Sequence, residues 1–368
     1  MHPSKSFAEL NLFQTIGSSW NSPSGFSQLN CPASFSTSCQ LTANRTLLAD
    51  TSQFDAVVFH ERDFRWKDVP DKERRKRSQA YVFTSYEAPV WGNRRKEKMQ
   101  RMKGFFNWSM TYRMDSTFYT PYGGFVKTRD HPLGSKLRDI AKEFGERNQA
   151  IARKTKSAAG IVQIVSNCKS QSKREKLLKS MQKLIRVDIY GSCGPLKCPR
   201  SGAGGDAGWK CYQMLERRYK FYLAWENALC KDYVTEKFFE ITKYNIIPVV
   251  LNRAAMDQIA PRHSYIALED FKSMSHLVKY LQKVDKDDKL FTSYFWWRDF
   301  YSVQDHHISR HKSWCSLCST LHKDEWTDWN KEHLTHAYAG HQENDTIGDL
   351  NNFWVKQANC KLFSNRKH

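Results

Sequence analysis

Two short runs hold the densest set of groups able to do chemistry. Tyr219-Lys-Phe-Tyr-Leu-Ala-Trp-Glu-Asn227 is a mainly apolar stretch that ends on a carboxylate and a carboxamide, and Asp232-Tyr-Val-Thr-Glu-Lys237 follows shortly after it. This pattern puts polar groups between the end of a strand and the start of a helix, with Thr235, Glu236 and Lys237 in or near the first helical turn. Backbone N–H groups and the positive end of the helix dipole favour an anion there, and Lys237 adds a charge able to hold a diphosphate. The plainer reading is a capping role for Asp232. No G-x-G-x-x-G follows a strand in the glycine-rich stretch 191–208, so a dinucleotide fingerprint is absent. No D-x-D pair sits between strands either. Lys286-Asp287-Asp288 reads as a solvated helix end, and no essential metal is expected.

The elements that must position these groups follow from hydrophobic patterning. Ala56-Val-Val-Phe59 and Ala80-Tyr-Val-Phe83 are short β-branched and aromatic runs bounded by polar residues, as in buried strands. Arg95–Phe106 has helical spacing, and Phe118–Tyr122 reads as strand then turn. Residues 127–158 are polar, helically spaced and suited to a connector. Gly160–Val165, the basic helix Lys173–Ile185 and Val187–Tyr190 then form a strand–helix–strand unit, so a parallel sheet begins near 160. Strand Lys220–Trp225, helix Val234–Lys243, strands Ile246–Leu251 and Ser264–Ala267, and helix Ser273–Val284 continue the alternation. The expectation is an α/β protein of two Rossmann-like halves. Ligands in such sheets sit at the carboxyl ends of the strands, which places the segment after Trp225 at the mouth of a site.

The chain has 368 residues, 40% hydrophobic and 26% charged, which excludes a disordered protein and allows two domains. Its net charge of +20 attracts nucleic acid, anionic membrane or a phosphate-bearing small molecule alike. The densest basic runs, Lys72–Arg77 and Arg94–Lys103, read as solvated faces, and no nucleic-acid-binding signature accompanies them. Ten cysteines include a Cys315-x-x-Cys318, which suggests zinc or redox chemistry in the cytosol and disulfides in the secretory lumen. His306, His307, His311 and His322 fit no usual zinc spacing. The N-glycosylation sequons at Asn44, Asn107 and Asn344 tilt toward the lumen. No stretch reaches the ~18–20 apolar residues of a transmembrane helix, and 1–17 is too polar for a signal peptide.

Beyond these readings, the two runs resemble the signature of the α1,3-fucosyltransferase family, Y-K-F-x-L-x-F-E-N followed by D-Y-V/I-T-E-K. Further similarities lie in order along the chain: Asp55–His60, Ser85-Tyr-Glu-Ala-Pro89, Phe106–Ser116, Pro121-Tyr-Gly123, Ile247–Val250 and Cys315-x-x-Cys318. Trp225 replaces the usual Phe, and Asn252 stands where Gly is common. The resemblance, over about residues 30–330, implies a GT-B fold, two Rossmann-like domains facing a cleft. The expected divisions are a stem-like 1–50, an acceptor domain 51–155, a GDP-fucose domain 156–330 and a tail 331–368. It implies transfer of fucose from GDP-fucose to N-acetylglucosamine of a glycoprotein glycan, with inversion and without an essential cofactor, a divalent metal being at most a stimulant. Glu87 would be the general base and Glu236 would lie near the sugar. Arg174 and Lys237 would contact the phosphates, with Lys220, Asn227 and Tyr233 as further donor contacts. Cys31 and Cys39 would pair with Cys315 and Cys318, in an order left open. The surroundings of Cys168 and Cys193 resemble the branch that modifies the innermost N-glycan residue. A Golgi lumenal enzyme is expected, with its membrane anchor outside this sequence. An inactive glycan- or GDP-binding relative is the alternative, and a nucleic-acid binder is disfavoured.

Overall fold

Parallel strands buried on both faces need near-continuous apolar runs, and the strongest such runs form the centres of two sheets. The computed structural model describes residues 10–15, 27–29, 31, 39–44, 47–62, 64, 66, 69, 73–76, 78–89, 101–131, 136–152, 160–198, 206–321 and 347–361. The chain divides into two compact units: 1–121 with 307–359, and 122–306 with 360–368.

The first unit holds β1 (Leu10–Thr15), β2 (Ser27–Leu29), β3 (Cys39–Thr42), β4 (Ala56–His60), β5 (Ala80–Ser85), β6 (Trp108–Thr111) and β7 (Phe118–Tyr119), in sheet order β2-β3-β1-β4-β5-β6-β7. All pairings are parallel except β2 with β3. Ala56, Val58, Ala80, Val82 and Met110 point to one face and meet Trp314, Leu317 and Cys318 of the helix His306–Leu321. Phe59 and Phe83 lie on the other, in edge-to-face contact with Phe106. Disulfides Cys31–Cys315 and Cys39–Cys318 fasten the helix to the start of the unit. The pairing implied by resemblance is therefore present, and its order is resolved. Because these bridges close very long loops, replacing Cys39 and Cys318 by Ala is expected to cost about 2–4 kcal/mol in urea unfolding.

The second unit has a five-stranded parallel sheet, built from β9 (Ile161–Ile164), β10 (Asp188–Tyr190), β11 (Phe221–Leu223), β12 (Ile247–Val250) and β13 (Ile266–Ala267), in the order β10-β9-β11-β12-β13. Side-chain alternation divides its faces. Ile161, Phe221, Leu223, Ile247, Val249 and Ile266 pack with helices α1 (Leu137–Arg147), α2 (Arg174–Gln182), α5 (Met274–Lys286) and α6 (Asp288–Ser293). Val162, Tyr222, Val250 and Ala267 pack with α3 (Asp206–Arg218) and α4 (Glu236–Thr242). An antiparallel ribbon joins β8 (Gly124–Lys127) to β14 (Tyr301–Gln304). Helix α1 approaches α6 so closely that a Cβ on Gly145 would lie 2.3 Å from the Lys289 carbonyl oxygen, which is why glycine stands there.

Several expected boundaries are corrected. Residues 10–15, 27–29 and 39–42 are strands of the first sheet, so 1–50 is not simply a loose stem. The division falls after Pro121 rather than near 155, and the supposed connector contains α1, which buries Ala141 and Phe144 in the second unit. Residues 347–359 of the expected tail pack into the first unit, where Trp354 is fully buried. Within the expected helix Arg95–Phe106, residues 101–105 form turns and 95–100 lie outside the described residues. No helix among the described residues is long and apolar enough to cross a membrane.

A pH dependence is built into the second unit. His263 stacks on Tyr294 at 4.0 Å with Nε2 2.9 Å from the Ser293 hydroxyl, and burial pushes its pKa down from 6.5 to about 4. Between those values the unfolded chain binds a proton that the folded chain refuses, so stability falls as pH drops through that window. His263→Gln is expected to flatten this limb, by about 2 kcal/mol at pH 4.5, when urea unfolding is compared with pH 7.5.

Candidate active site

The order β10-β9-β11 means that the chain leaves β9 toward one edge and returns on its other side. The carboxyl ends of β9 and β11 therefore flank a topological switch point, where doubly wound sheets bind ligands. The loops after these two strands are stitched together. Ser172 donates its hydroxyl to the Glu226 carbonyl at 2.6 Å and its N–H to the Asn227 carbonyl at 2.9 Å. Arg174, the first residue of α2, is 3% exposed and donates to the carbonyls of Trp225 at 2.6 Å and Asn167 at 3.3 Å. Its Nε has no hydrogen-bond partner among the described residues. Burial lowers its pKa, yet a guanidinium keeps its charge. A buried cation satisfied by carbonyls rather than a carboxylate is suited to an anionic ligand.

The second cation is clamped differently. Lys237 Nζ lies 2.9 Å from Glu236 Oε1, 3.3 Å from Glu226 Oε2 and 2.9 Å from Thr235 Oγ1. Thr235 donates its N–H to Glu226 Oε1 at 2.8 Å, and its hydroxyl faces the same carboxylate at 2.9 Å. Burial pushes the Glu226 carboxyl up, with Lys237 opposing it. Burial also works against the Lys237 ammonium, but Glu226 and Glu236 outweigh it and raise the pKa above the usual lysine value. Partial desolvation of Glu236 is likewise outweighed by Lys237, which leaves that carboxyl below its ordinary value. The cluster is thus an ammonium held by two glutamates, with Glu236 reaching solvent.

Asn227 has a buried Oδ1 with no partner among the described residues. Tyr233 is buried in edge-to-face contact with Tyr122 at 6.5 Å, and lines a mainly apolar cavity with Glu226, Cys230 and Val250. Asn227 and Tyr233 therefore lie on the loop after β11, and Arg174, Glu236 and Lys237 in the first turns of the helices that follow the two stitched loops. Lys220 lies elsewhere. It stands at the opposite end of β11, where its Nζ binds Asp288 at 3.1 Å and the Asp285 carbonyl, fastening the strand to the end of α5. Nor does Asp232 cap α4: that role falls to Thr235, and Asp232 sits in a left-handed turn with φ 59°. Glu226, next to last in the run Tyr219–Asn227, had no assigned role, because only the folded loop turns it toward Lys237.

In the first unit Glu87 lies in the turn after β5. The Ser85 hydroxyl sits 3.2 Å from the Glu87 carbonyl and 2.8 Å from Oε2 of Glu61. Glu61 is 3% exposed and also accepts from Trp354 Nε1 at 3.1 Å. These supports were missed because Trp354 belongs to a segment read as tail. All ten cysteines are paired, the others being Cys168–Cys193, Cys198–Cys211 and Cys230–Cys360, so Cys315 and Cys318 form no zinc or dithiol pair. Among the sequons, Asn107 uses its Oδ1 to accept from Arg75 at 2.5 Å and from the Tyr81 N–H at 2.8 Å. Asn44 is described but Arg45 and Thr46 are not, and Asn344 lies outside the described residues.

Two cations at the switch point of a parallel sheet, one buried and one glutamate-clamped, are suited to an anionic, phosphate-bearing ligand. The comparisons narrow the class. The family model described as glycosyltransferase family 10 (fucosyltransferase) C-term matches residues 151–336, and that of the fucosyltransferase N-terminal region matches 13–123. Alpha-(1,3)-fucosyltransferase C of Drosophila melanogaster is 36% identical over 92% of this chain and 72% of its own length. Glycoprotein 3-alpha-L-fucosyltransferase A of the same organism is 35% identical over 83% of this chain and 55% of its own. A crystal structure of an α1,3-fucosyltransferase with GDP aligns over 88% of this chain and 93% of that chain, at 15% identity and a TM-score of 0.49. The chain belongs to the glycosyltransferase family 10 fucosyltransferases.

Proposed function

We propose that the chain moves L-fucose from GDP-fucose in α1,3 linkage onto N-acetylglucosamine of glycoprotein glycans, with inversion at the anomeric carbon. The observation that carries this reading is the pairing of Arg174 with the Glu226–Lys237–Glu236 cluster at the switch point. As the acceptor hydroxyl attacks the anomeric carbon, Glu87 takes its proton and the bond to the diphosphate breaks. Arg174 and Lys237 stabilise the charge gathering on the departing phosphate, while Glu236 accepts from a fucose hydroxyl and Asn227 and Tyr233 hold the donor. Pairing of all ten cysteines supports an oxidising, lumenal compartment, and we place the enzyme in the Golgi.

The test is transfer from labelled GDP-fucose to a trimmed N-glycan and to N-acetyllactosamine. Product on the N-glycan core supports the branch suggested by the surroundings of Cys168 and Cys193. Product on lactosamine alone keeps the transferase and discards that branch, and product on neither sinks the reading. Because side-chain cations match the diphosphate here, the rate is expected to change less than about two-fold on adding EDTA. A fall of ten-fold, restored by a divalent ion, would assign the leaving group to a metal.

A further inference from the structure

The loop carrying Asn227 and Tyr233 is anchored at its start by Ser172 and Arg174, and at its end by Thr235 on Glu226. Its middle is anchored from elsewhere. Cys230, 3% exposed, is joined to Cys360, and the Leu229 carbonyl accepts from the Lys361 N–H at 2.8 Å in an antiparallel bridge. Tyr233 in turn donates its N–H to the Cys230 carbonyl at 3.3 Å, and Leu229 and Cys230 both line the cavity that Tyr233 and Glu226 share. Residues 130 positions away in sequence therefore hold the wall of the site.

We propose that Cys360 and Lys361 are positioning residues for the donor: through Cys230 and Leu229 they fix the loop that presents Asn227 and Tyr233 to the nucleotide-sugar. The inference rests on the donor-site reading above and deepens it. A covalent tether and a backbone bridge remove alternative loop conformations before the ligand arrives. Without them the ordering cost falls on binding, since each immobilised side chain subtracts from affinity. The effect belongs to the donor side. Donor affinity should drop while turnover at saturating donor and the KM for the acceptor stay nearly constant, a split that general destabilisation does not produce.

The experiment measures GDP dissociation constants by calorimetry on the full chain, with KM values for GDP-fucose and the acceptor beside them. Cys230→Ala/Cys360→Ala is expected to raise the GDP Kd and the donor KM about ten-fold, and to leave kcat and the acceptor KM within about two-fold. Lys361→Pro removes the N–H donated to Leu229, keeps the disulfide, and is expected to raise the GDP Kd about three-fold. It serves if the double variant fails to fold. Cys198→Ala/Cys211→Ala, which removes a bridge outside the loop, is expected to leave the GDP Kd unchanged. Unchanged GDP affinity in the folded loop variants, whatever their melting temperature, overturns the proposal, as does an equal loss in the Cys198/Cys211 control. If the unaltered chain binds no GDP, the donor-site reading itself fails and takes this inference with it.

Discussion

Glu87→Gln is expected to lower fucose transfer by about 10²–10⁴-fold, the usual contribution of a positioned general base. The substitution keeps the size of the side chain while removing its negative charge and its ability to take a proton. GDP affinity should therefore match that of the unaltered chain, because Glu87 is on the turn after β5 and the proposed nucleotide contacts are on the loops after β9 and β11. Urea unfolding should also change little, since the buried carboxylate of that region is Glu61, which accepts from both Ser85 and Trp354. Transfer by Glu87→Gln within three-fold of the original, with intact folding, would remove Glu87 from the base role.

Lys237→Met is expected to damage both stability and donor binding. The ammonium is the counter-charge for Glu226, 8% exposed, and for the more open Glu236. Removing one partner of a buried pair leaves the other charge uncompensated, at about 3–5 kcal/mol. The lower end is expected here, because Glu226 keeps its bonds from Thr235. Combining Lys237→Met with Glu226→Gln should recover most of the stability and none of the GDP affinity, which separates the structural role of the lysine from its proposed phosphate role. Recovery of binding along with stability would show that Lys237 acts only through the fold.

Much of this arrangement was legible in the residues themselves. Ala56–Phe59, Ala80–Phe83 and Ile247–Val250 are apolar runs too short for helices, and all are strands. The polar groups after Trp225 had to leave the sheet at a strand end, so the loop they form was expected, and its partner loop after β9 followed from the strand–helix–strand unit. Lys220 was placed among the donor contacts by the family resemblance alone; it immediately precedes Phe221, so it stands at the amino end of β11 and away from the carboxyl ends where ligands bind. Glu61 and Trp354 could not be found, because the bond between them joins positions 293 residues apart with no local pattern. The same holds for the domain division. Nothing in the composition of 307–359 says that it returns to the first sheet rather than continuing the second.

That return has a consequence for how the protein is made. The second unit is almost entirely one continuous stretch, 122–306, whereas the first needs 307–359 as well as 1–121. A chain emerging from the ribosome in N-to-C order thus delivers the later unit's material before the earlier unit has all of its own. The β1–β7 sheet must wait, with the face that will receive Trp314 and Leu317 still open, until the helix His306–Leu321 has been synthesised. Cys31 and Cys39 cannot form their native bridges during that interval, since their partners lie 284 and 279 residues downstream. The N-terminal sheet therefore stays incomplete until the main stretch of the second unit has been translated, and the bridge from Cys230 to Cys360 closes later still.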